Sequence, residues 1–502
     1  MPSPAAASTN SSPNPLAVAK TLAGRHFIGG NLIPSHAGKT FSVLDPATGV
    51  HFAEAAAGDA HDVNLAVESA AKAQTGWAKL PARERGKLVA RVGLLILEHA
   101  EEIAQLMTLE TGKAIRTESR VEVSAAADVW NFYGGLGSEL KGETIPFRPD
   151  MLTFTRREPL GVVGAIIPWN VPLLLMALKV CPALVAGNAV VVKSAEEAPF
   201  AVLRIASLAQ EILPPGVFNM VSGMGPDCGA PLAQHPLVRK VTFTGSVETG
   251  RLIANMAAEK LIPATLELGG KSPMIVLEDA DLDRAVEGAV IGVRFTRQGQ
   301  SCTCASRIFV HRALQDEFVK RLKAKVDAMI IGDPFDEKTD IGSIISPAQF
   351  EKVQSYIALG EKIPGAAAHR CGRLTKDPRF AKGLFTQPVI FTGLGNDSRI
   401  AREEIFGPVT MVMPFTTFDE AIDAANDTSY GLAATIWTRD LARALQATQR
   451  LDAGFVQVNQ NLVVQANLSY GGFKDSGYGK EASLEAMVEH FTRKKTVIVN
   501  LA

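Results

Sequence analysis

The stretch LGVVGAIIPWNVPLLLMALKVCPALVAGNAVVV, residues 160–192, decides the fold of this chain. Its first part, VVGAIIP (162–168), is apolar throughout and predicts a buried strand. The segment 171–187 predicts a buried helix that ends at a glycine, and NAVVVK (188–193) predicts the next strand. Several prolines and asparagines interrupt the run, and a lipid bilayer would leave their backbone groups without partners. The pattern therefore predicts strand, loop, helix and strand, and not a membrane span.

The same alternation continues along the chain. An amphipathic helix is predicted at 199–213, and strands at 217–223 and 240–245. Strands that are apolar throughout, separated by helices, indicate a parallel sheet covered on both faces. After LELGGKSP (266–273) the pattern restarts with a second series of strands and helices. We therefore place a domain boundary at 268–270.

Composition limits the classes of function. At 502 residues the chain is expected to form two or three domains. A formal charge of -1 favours neither nucleic acid nor an anionic membrane as a partner. The nine histidines form no cluster with metal-ligand spacing, so no metal is expected. The N-terminal segment has neither a secretory pattern nor early arginines, which predicts a disordered tail over residues 1–20 and a cytoplasmic location.

The segment RQGQSCTCASR (297–307) holds the leading candidate nucleophile, Cys302. A cysteine thiolate is a strong nucleophile that adds readily to a carbonyl carbon and can carry an acyl group as a thioester. The thioester left behind can be hydrolysed by water. Free cysteines are often buried structural residues, which is the alternative for Cys302 alone. Its flanking polar residues favour an exposed loop.

Two further side chains suit the same chemistry. Glu267 stands in the apolar strand LELGG, where burial would raise its pKa and make it a general base. Its alternative is a solvent-facing residue at a strand edge. Asn170, in IIPWNVP (166–172), follows a strand and could donate its amide to a developing oxyanion, together with the backbone N–H of Cys302. A purely structural Pro-Trp-Asn loop is the alternative there.

Three glycine-containing or charged segments suggest a dinucleotide site. Lys193 and Glu196 lie just past a strand end in VVKSAEEAP (191–199), where they could hold ribose hydroxyls. Gly245 and Ser246 of FTGS could open a helix whose N-terminus faces a pyrophosphate. Gly225, in FNMVSGMG (218–225), belongs to an incomplete dinucleotide pattern.

Taken together, PWN, VVKSAEEAP, FTGS, LELGGKSP, GQSC, EEIFGPV (403–409) and GGFKDSGYGKE (471–481) resemble the NAD(P)⁺-dependent aldehyde dehydrogenase superfamily. The resemblance runs from about residue 25 to 498. It implies that Cys302 is the nucleophile, Glu267 the base and Asn170 an oxyanion donor. It favours NAD⁺, with NADP⁺ possible, because the Glu196 carboxylate would repel a 2′-phosphate. The cofactor contacts that it implies are Ile166, Trp169, Lys193, Glu196, Gly225, Gly245, Ser246, Leu268, Glu404 and Phe406.

The resemblance also implies an α/β fold with three parts. A Rossmann-like coenzyme domain would comprise residues 21–138 and 159–267, and an α/β catalytic domain residues 268–470. A β oligomerisation arm would combine residues 139–158 and 485–502. Because such an arm pairs across subunits in relatives, a homodimer or homotetramer is expected.

The predicted substrate tunnel is apolar or small. Its residues are Val171, Leu174, Leu178, Phe295 and Ser301. An uncharged aromatic or medium-chain aliphatic aldehyde, benzaldehyde-like, suits these residues best. The alternatives are a semialdehyde dehydrogenase and a CoA-acylating enzyme, whose relatives generally lack the glutamate at position 267. Two residues depart from the family pattern: Arg297, where asparagine is frequent, and Cys304, a possible disulfide partner of Cys302.

Overall fold

The computed structural model describes residues 14–461 and 464–502. In chain order its strands are β1 (Arg25–Ile28), β2 (Asn31–Pro34), β3 (Thr40–Asp45), β4 (Val50–Ala56), β5 (Met151–Pro159), β6 (Val162–Ile166), β7 (Ala189–Lys193), β8 (Phe218–Val221), β9 (Val238–Thr244), β10 (Ala264–Glu267), β11 (Pro273–Val276), β12 (Arg307–His311), β13 (Ile330–Ile331), β14 (Ala367–Arg370), β15 (Arg373–Leu374), β16 (Val389–Thr392), β17 (Val409–Phe415), β18 (Tyr430–Gly431), β19 (Ala433–Trp437), β20 (Phe455–Val458), β21 (Phe473–Lys474), β22 (Gly477–Tyr478) and β23 (Thr492–Asn500).

The α-helices alternate with these strands. They are α1 (Pro15–Leu22), α2 (Ala60–Lys79), α3 (Ala82–Glu98), α4 (Ala100–Thr111), α5 (Arg120–Gly135), α6 (Pro172–Val185), α7 (Phe200–Ala209), α8 (Ala230–Gln234), α9 (Val247–Glu259), α10 (Leu282–Val293), α11 (Gln315–Asp327), α12 (Pro347–Glu361), α13 (Arg399–Arg402), α14 (Phe418–Asn426), α15 (Leu441–Arg450) and α16 (Leu484–His490). None of the described helices is long and apolar enough to cross a membrane.

An eight-stranded sheet organises the first half of the chain, in the order β2-β1-β8-β7-β6-β9-β10-β22. Strands β6 to β10 are parallel to their neighbours within this set, as the sequence predicts. Alternate residues of β6 enter different cores: Val163 packs with helices α6 and α7, and Val162 packs with residues of α2 and α8. Burial on both faces explains why β6 is apolar throughout and why its neighbours are mostly apolar.

A seven-stranded sheet organises the second half, in the order β14-β16-β17-β12-β11-β19-β20. The chain passes from the first sheet to the second between β10, which ends at Glu267, and β11, which begins at Pro273. Strand β22 returns to the first sheet and pairs antiparallel with β10, with Glu267 opposite Gly477. The segment after residue 470 therefore closes over the end of β10.

The predicted arm is a two-stranded antiparallel ribbon of β5 and β23. The two strands pair over nine positions, from Thr492 opposite Pro159 to Asn500 opposite Met151. Residues 143–145 add backbone hydrogen bonds to residues 153–155, so the 139–158 segment turns back on itself without forming a regular second strand. The C-terminal member of the arm begins partly within helix α16.

One prediction needs correction at the N-terminus. Residues 1–13 of the predicted disordered tail lie outside the described residues. Residues 15–20, however, belong to helix α1, which Asn14 caps by accepting a hydrogen bond from the Leu16 N–H. Val18, Ala19 and Leu22 are buried, and this packing stabilises a helix too short to persist alone.

Candidate active site

Two strand ends and one loop bring the predicted catalytic residues together. Asn170 follows β6, and Glu267 is the last residue of β10. Cys302 lies in the loop between α10 and β12, after Gln298 and Gly299, which both adopt positive φ (55° and 65°). Asn170 Nδ2 donates to the Gln300 carbonyl at 3.1 Å. That hydrogen bond ties the amide loop to the thiol loop.

The Cys302 thiol is only partly exposed, and burial raises its pKa to about 11. Its Sγ lies 3.4 Å from the hydroxyl of Tyr470. Tyr470 is buried, and burial raises its own pKa well above the ordinary value, so the phenol keeps its proton. A phenol O–H in this position can donate to the sulfur when the thiol ionises. No motif in the sequence indicates a role for Tyr470.

Glu267 is buried, with 3 % of its surface exposed. Neither carboxylate oxygen has a hydrogen-bond partner within residues 14–461 and 464–502. Burial is the main cause of a pKa well above the ordinary range, and the neighbouring charge of Glu481 raises it further. A carboxyl group held in this way can accept a proton near neutral pH and above.

A buried ion pair lies beside Glu267. Lys179 Nζ, from the middle of α6, donates to Glu481 Oε1 at 2.6 Å, and neither side chain is exposed. The Thr242 hydroxyl donates to the same oxygen at 3.1 Å. The charge of Lys179 lowers the pKa of Glu267, opposite to the effect of Glu481. Both residues were visible in the sequence, as a lysine inside an apolar helix and as the end of GYGKE.

Cys302 opens into a cavity of about 210 Å³. The cavity brings together most of the predicted catalytic and cofactor residues. Its lining consists of Pro168, Trp169, Asn170, Thr244, Gly245, Ser246, Leu268, Gly269, Cys302, Gln349, Lys352, Glu404 and Phe406. Gln349 and Lys352, on helix α12, were not predicted from the sequence.

The cavity has features that suit a dinucleotide. Ser246 caps the N-terminus of the 13-residue helix α9, where backbone N–H groups favour an anionic group such as a pyrophosphate. The buried Thr244 hydroxyl has no partner among the residues that the structure describes. Glu404 Oε1 accepts from the Gly270 N–H at 3.0 Å, beside the edge-on rings of Trp169 and Phe406.

The predicted adenosine-side residues lie outside this cavity. Lys193 Nζ donates to Glu196 Oε1 at 2.7 Å, with side chains 5 % and 31 % exposed. Ile166 pairs with Lys193 across β6 and β7 and is buried. Gly225 begins a π-type turn, and a Cβ there would meet nothing within 4 Å. The Glu196 carboxylate is therefore accessible just beyond the end of strand β7.

The predicted tunnel residues do not all meet. Val171 and Leu178 belong to the apolar cluster against which Leu174 and Cys302 pack. Phe295 is fully buried in a different cluster, in the core of the second sheet. Ser301 is buried and its hydroxyl lies 3.2 Å from that of Thr303. Phe455, which the prediction omitted, packs against the cluster of Cys302 and contacts the Tyr470 ring at 5.7 Å.

The structure shows where the two residues that depart from the family pattern, Arg297 and Cys304, are packed. Arg297 does not face solvent, because its guanidinium forms a largely buried ion pair with Glu118. The Cys304 thiol donates to the Val293 carbonyl at 3.3 Å and packs in the second-sheet core with Phe295. Its side chain and that of Cys302 therefore enter different clusters, so the packing gives no support to a disulfide between them.

Comparison with known proteins agrees with this arrangement. The model of the aldehyde dehydrogenase family matches residues 32–497. The chain is 44% identical over 474 residues to aldehyde dehydrogenase family 2 member B4, mitochondrial, of Arabidopsis thaliana, covering 94% of this chain and 87% of that protein.

Solved structures give the same result. An NAD⁺ complex of aldehyde dehydrogenase from Bacillus cereus matches with a TM-score of 0.93 and 38% identity, covering 97% of this chain and 98% of that chain. Betaine aldehyde dehydrogenase from Staphylococcus aureus in complex with NAD⁺ matches with a TM-score of 0.93 and 34% identity, covering 97% of each chain. This chain belongs to the aldehyde dehydrogenase family.

Proposed function

We propose that the protein oxidises an aldehyde to the carboxylic acid with NAD⁺, through a thioester on Cys302 that water hydrolyses with Glu267 as base. The observation that carries the proposal is one cavity in which the Cys302 thiol, the Asn170 amide and the N-terminus of helix α9 meet. A nucleophile, an oxyanion donor and an anion site are the parts that this reaction needs.

The acylation step follows from the thiol loop. The Cys302 thiolate adds to the aldehyde carbon, and the new oxyanion accepts hydrogen bonds from Asn170 Nδ2 and the backbone N–H of Cys302. Asn170 already donates to the Gln300 carbonyl, which fixes its amide plane before substrate enters. When bound, NAD⁺ supplies the hydride acceptor. Collapse of the tetrahedral species leaves the thioester on Cys302.

NAD⁺ is the proposed cofactor for two reasons. Glu196 is accessible and would pair with ribose hydroxyls, while its charge would oppose a 2′-phosphate. Glu404 and Phe406 line the same cavity as Cys302, which supports their assignment to the nicotinamide ribose and ring. Relatives from Bacillus cereus and Staphylococcus aureus were solved with NAD⁺, which supports the same choice.

The deacylation step depends on Glu267. Its raised pKa makes it a stronger base than an exposed glutamate, so it can take a proton from the attacking water. Water as the acyl acceptor is favoured over CoA because this base is present. Hydrolysis and CoA transfer are distinguished by assaying the purified protein with and without CoA.

We propose an uncharged, benzaldehyde-like substrate. Leu174, Val171 and Phe455 share the apolar cluster of Cys302, and apolar walls favour an apolar aldehyde. Phe295 no longer supports this choice, because it lies in the other core. The family relative from Staphylococcus aureus is named for betaine aldehyde, so that substrate belongs in the test panel.

The test is the initial rate of NADH formation with benzaldehyde, hexanal, succinate semialdehyde and betaine aldehyde, in the wild type and Cys302→Ala. We expect NADH with an apolar aldehyde and none in the variant. The matched control is Cys228→Ala, another buried cysteine outside the cavity. Equal activity in Cys302→Ala, or activity that requires CoA, would reject the proposed mechanism.

The assembly is proposed to be a homodimer or homotetramer formed through the arm. Leu152 of β5 and Ile498 of β23 are 42% and 60% exposed, and the ribbon has no further strand among the described residues. Open edges of this kind pair readily with another chain. Light scattering of the wild type and Ile498→Lys tests this assignment. The cytoplasmic location stays a prediction.

A further inference from the structure

A buried ion pair holds the loop that leads to the proposed nucleophile. Arg297 Nε donates to Glu118 Oε2 at 2.7 Å, and Arg297 Nη2 lies 2.6 Å from the same oxygen. The two side chains are 11% and 7% exposed. The Thr296 hydroxyl donates to the other carboxylate oxygen at 2.5 Å. One carboxylate therefore holds two consecutive residues of the loop that leads to Cys302.

A second carboxylate, four residues further, holds the opposite side of the site. Glu122 Oε1 accepts the Leu173 N–H at 2.9 Å, in the first turn of helix α6, directly after Asn170. Glu122 Oε2 accepts from Lys113 Nζ at 2.5 Å. Glu118 and Glu122 thus anchor the thiol loop and the amide loop to one short segment.

Several titratable and charged groups surround Arg297 and Cys302. Arg297 is faced by Glu118, Glu122 and Cys302, and by the cations of Lys113 and Arg294. Cys302 is faced by Tyr470, Glu404, Glu267, Arg297, Arg294 and Cys304. Arg297 lowers the pKa of the thiol, and the two glutamates raise it. The negative charge of Glu118 partly cancels the electric field that Arg297 produces at the thiol.

We propose that the Arg297–Glu118 pair positions the Cys302 loop and influences the electrostatic potential at the thiol. Arg297 and Glu118 are positioning residues, since neither lines the cavity in which the aldehyde would react. The inference rests on the proposed role of Cys302 as nucleophile. It deepens that role, because it names a charged pair that holds the thiol loop and contributes to the ionisation of the thiol.

The test is the pH dependence of Cys302 alkylation by iodoacetamide, followed by peptide mass spectrometry without aldehyde or NAD⁺. Glu118→Gln leaves the cation unopposed, so the midpoint falls by about one pH unit. Arg297→Met removes the cation, so the midpoint rises. The double variant has no net charge change and returns toward the wild type. Opposite shifts distinguish an electrostatic role from damage to the loop, which would affect both single variants alike.

Two controls keep the experiment decisive. Arg297→Lys keeps the positive charge and is expected to hold the midpoint near the wild-type value, even if alkylation slows. Arg204→Met breaks another partly buried pair, with Glu102, and is expected to leave the midpoint unchanged. Shifts of the two single variants in one direction, or an unmoved midpoint in folded Glu118→Gln, overturn the proposal. Because alkylation does not require turnover, a missing dehydrogenase activity would be recognised separately.

Discussion

Replacing Lys179 by methionine tests the buried pair beside the base. Lys179 Nζ and Glu481 Oε1 are 2.6 Å apart, and both side chains are fully buried. Removing one partner of such a pair leaves an uncompensated charge in a dry environment. Among the residues that the structure describes, the Glu481 carboxylate then keeps only its hydrogen bond from Thr242. We therefore expect Lys179→Met to lower the free energy of unfolding by about 3–5 kcal/mol.

The Lys179→Met substitution also changes the pKa of the proposed base, Glu267. Lys179 lowers the pKa of Glu267 and Glu481 raises it, so loss of the lysine moves the pKa of Glu267 upward. A carboxylate acts as a base only above its pKa, and its activity is lost as pH falls through that value. The acid limb of the kcat profile for aldehyde oxidation should therefore move to higher pH, by about one unit.

The assay is NADH formation from pH 5 to 10, with thermal unfolding of each variant at the same pH values. The matched control is Lys179→Met combined with Glu481→Gln, which removes both charges. We expect that variant to recover much of the stability, because two well-packed neutral groups can replace a buried pair at little cost. Its acid limb should lie at or below the wild-type position. An acid limb that is unmoved or lowered in folded Lys179→Met refutes the electrostatic reasoning.

Three other substitutions have expected outcomes. Asn188→Ala removes four hydrogen bonds, two donated by Nδ2 to Ala183 and Phe491 carbonyls and two accepted by Oδ1 from the N–H groups of Leu160 and Gly161. It should lower the free energy of unfolding by about 3 kcal/mol, measured by denaturant titration, and a loss below about 1 kcal/mol would contradict this. Cys304→Ala should cost about 1–2 kcal/mol and change kcat less than about twofold, because the thiol lies in the other core; a tenfold loss of kcat would show otherwise. Glu196→Ala should raise kcat/KM for NADP⁺ relative to NAD⁺ by about tenfold, and an unchanged ratio would remove the carboxylate from the selection of cofactor.

The sheet order could be predicted only in part from the sequence. The strands β6, β7, β8 and β9 were predicted because almost all of their residues are buried and most of these are apolar. The two-residue strand β22 was not, because it carries no periodic pattern. It exists because its backbone completes the edge of β10. Likewise helix α1 depends on burial against later segments, which a polar N-terminal sequence does not reveal.

The residues of the candidate site could also be predicted only in part. Cys302 and Asn170 stand in short motifs, and the structure places them on one cavity. Tyr470 and Phe455 are far from Cys302 in the sequence and approach it only in the folded chain. The local sequence therefore gave no indication that they belong to the site. Phe295 looked suitable as an apolar residue near the nucleophile. A turn at 295–297 and the positive φ of Gln298 separate it from Cys302 and send its ring into the other core.

The buried carboxyl and thiol groups also bear on the order of the proposed chemical steps. Burial raises the pKa of both Cys302 and Glu267, and the negative charges of Glu404 and Glu267 raise that of the thiol further. Two neighbouring buried anions repel each other, so ionising one group opposes ionising the other. In the proposed mechanism the Cys302 thiolate attacks first, and it is no longer an anion once the sulfur is bound in the thioester. The repulsion from the sulfur is then lost, which favours the ionised form of Glu267 at the step where it would activate water. The coupling of the two groups therefore fits a reaction in which attack on the aldehyde and activation of water follow one another.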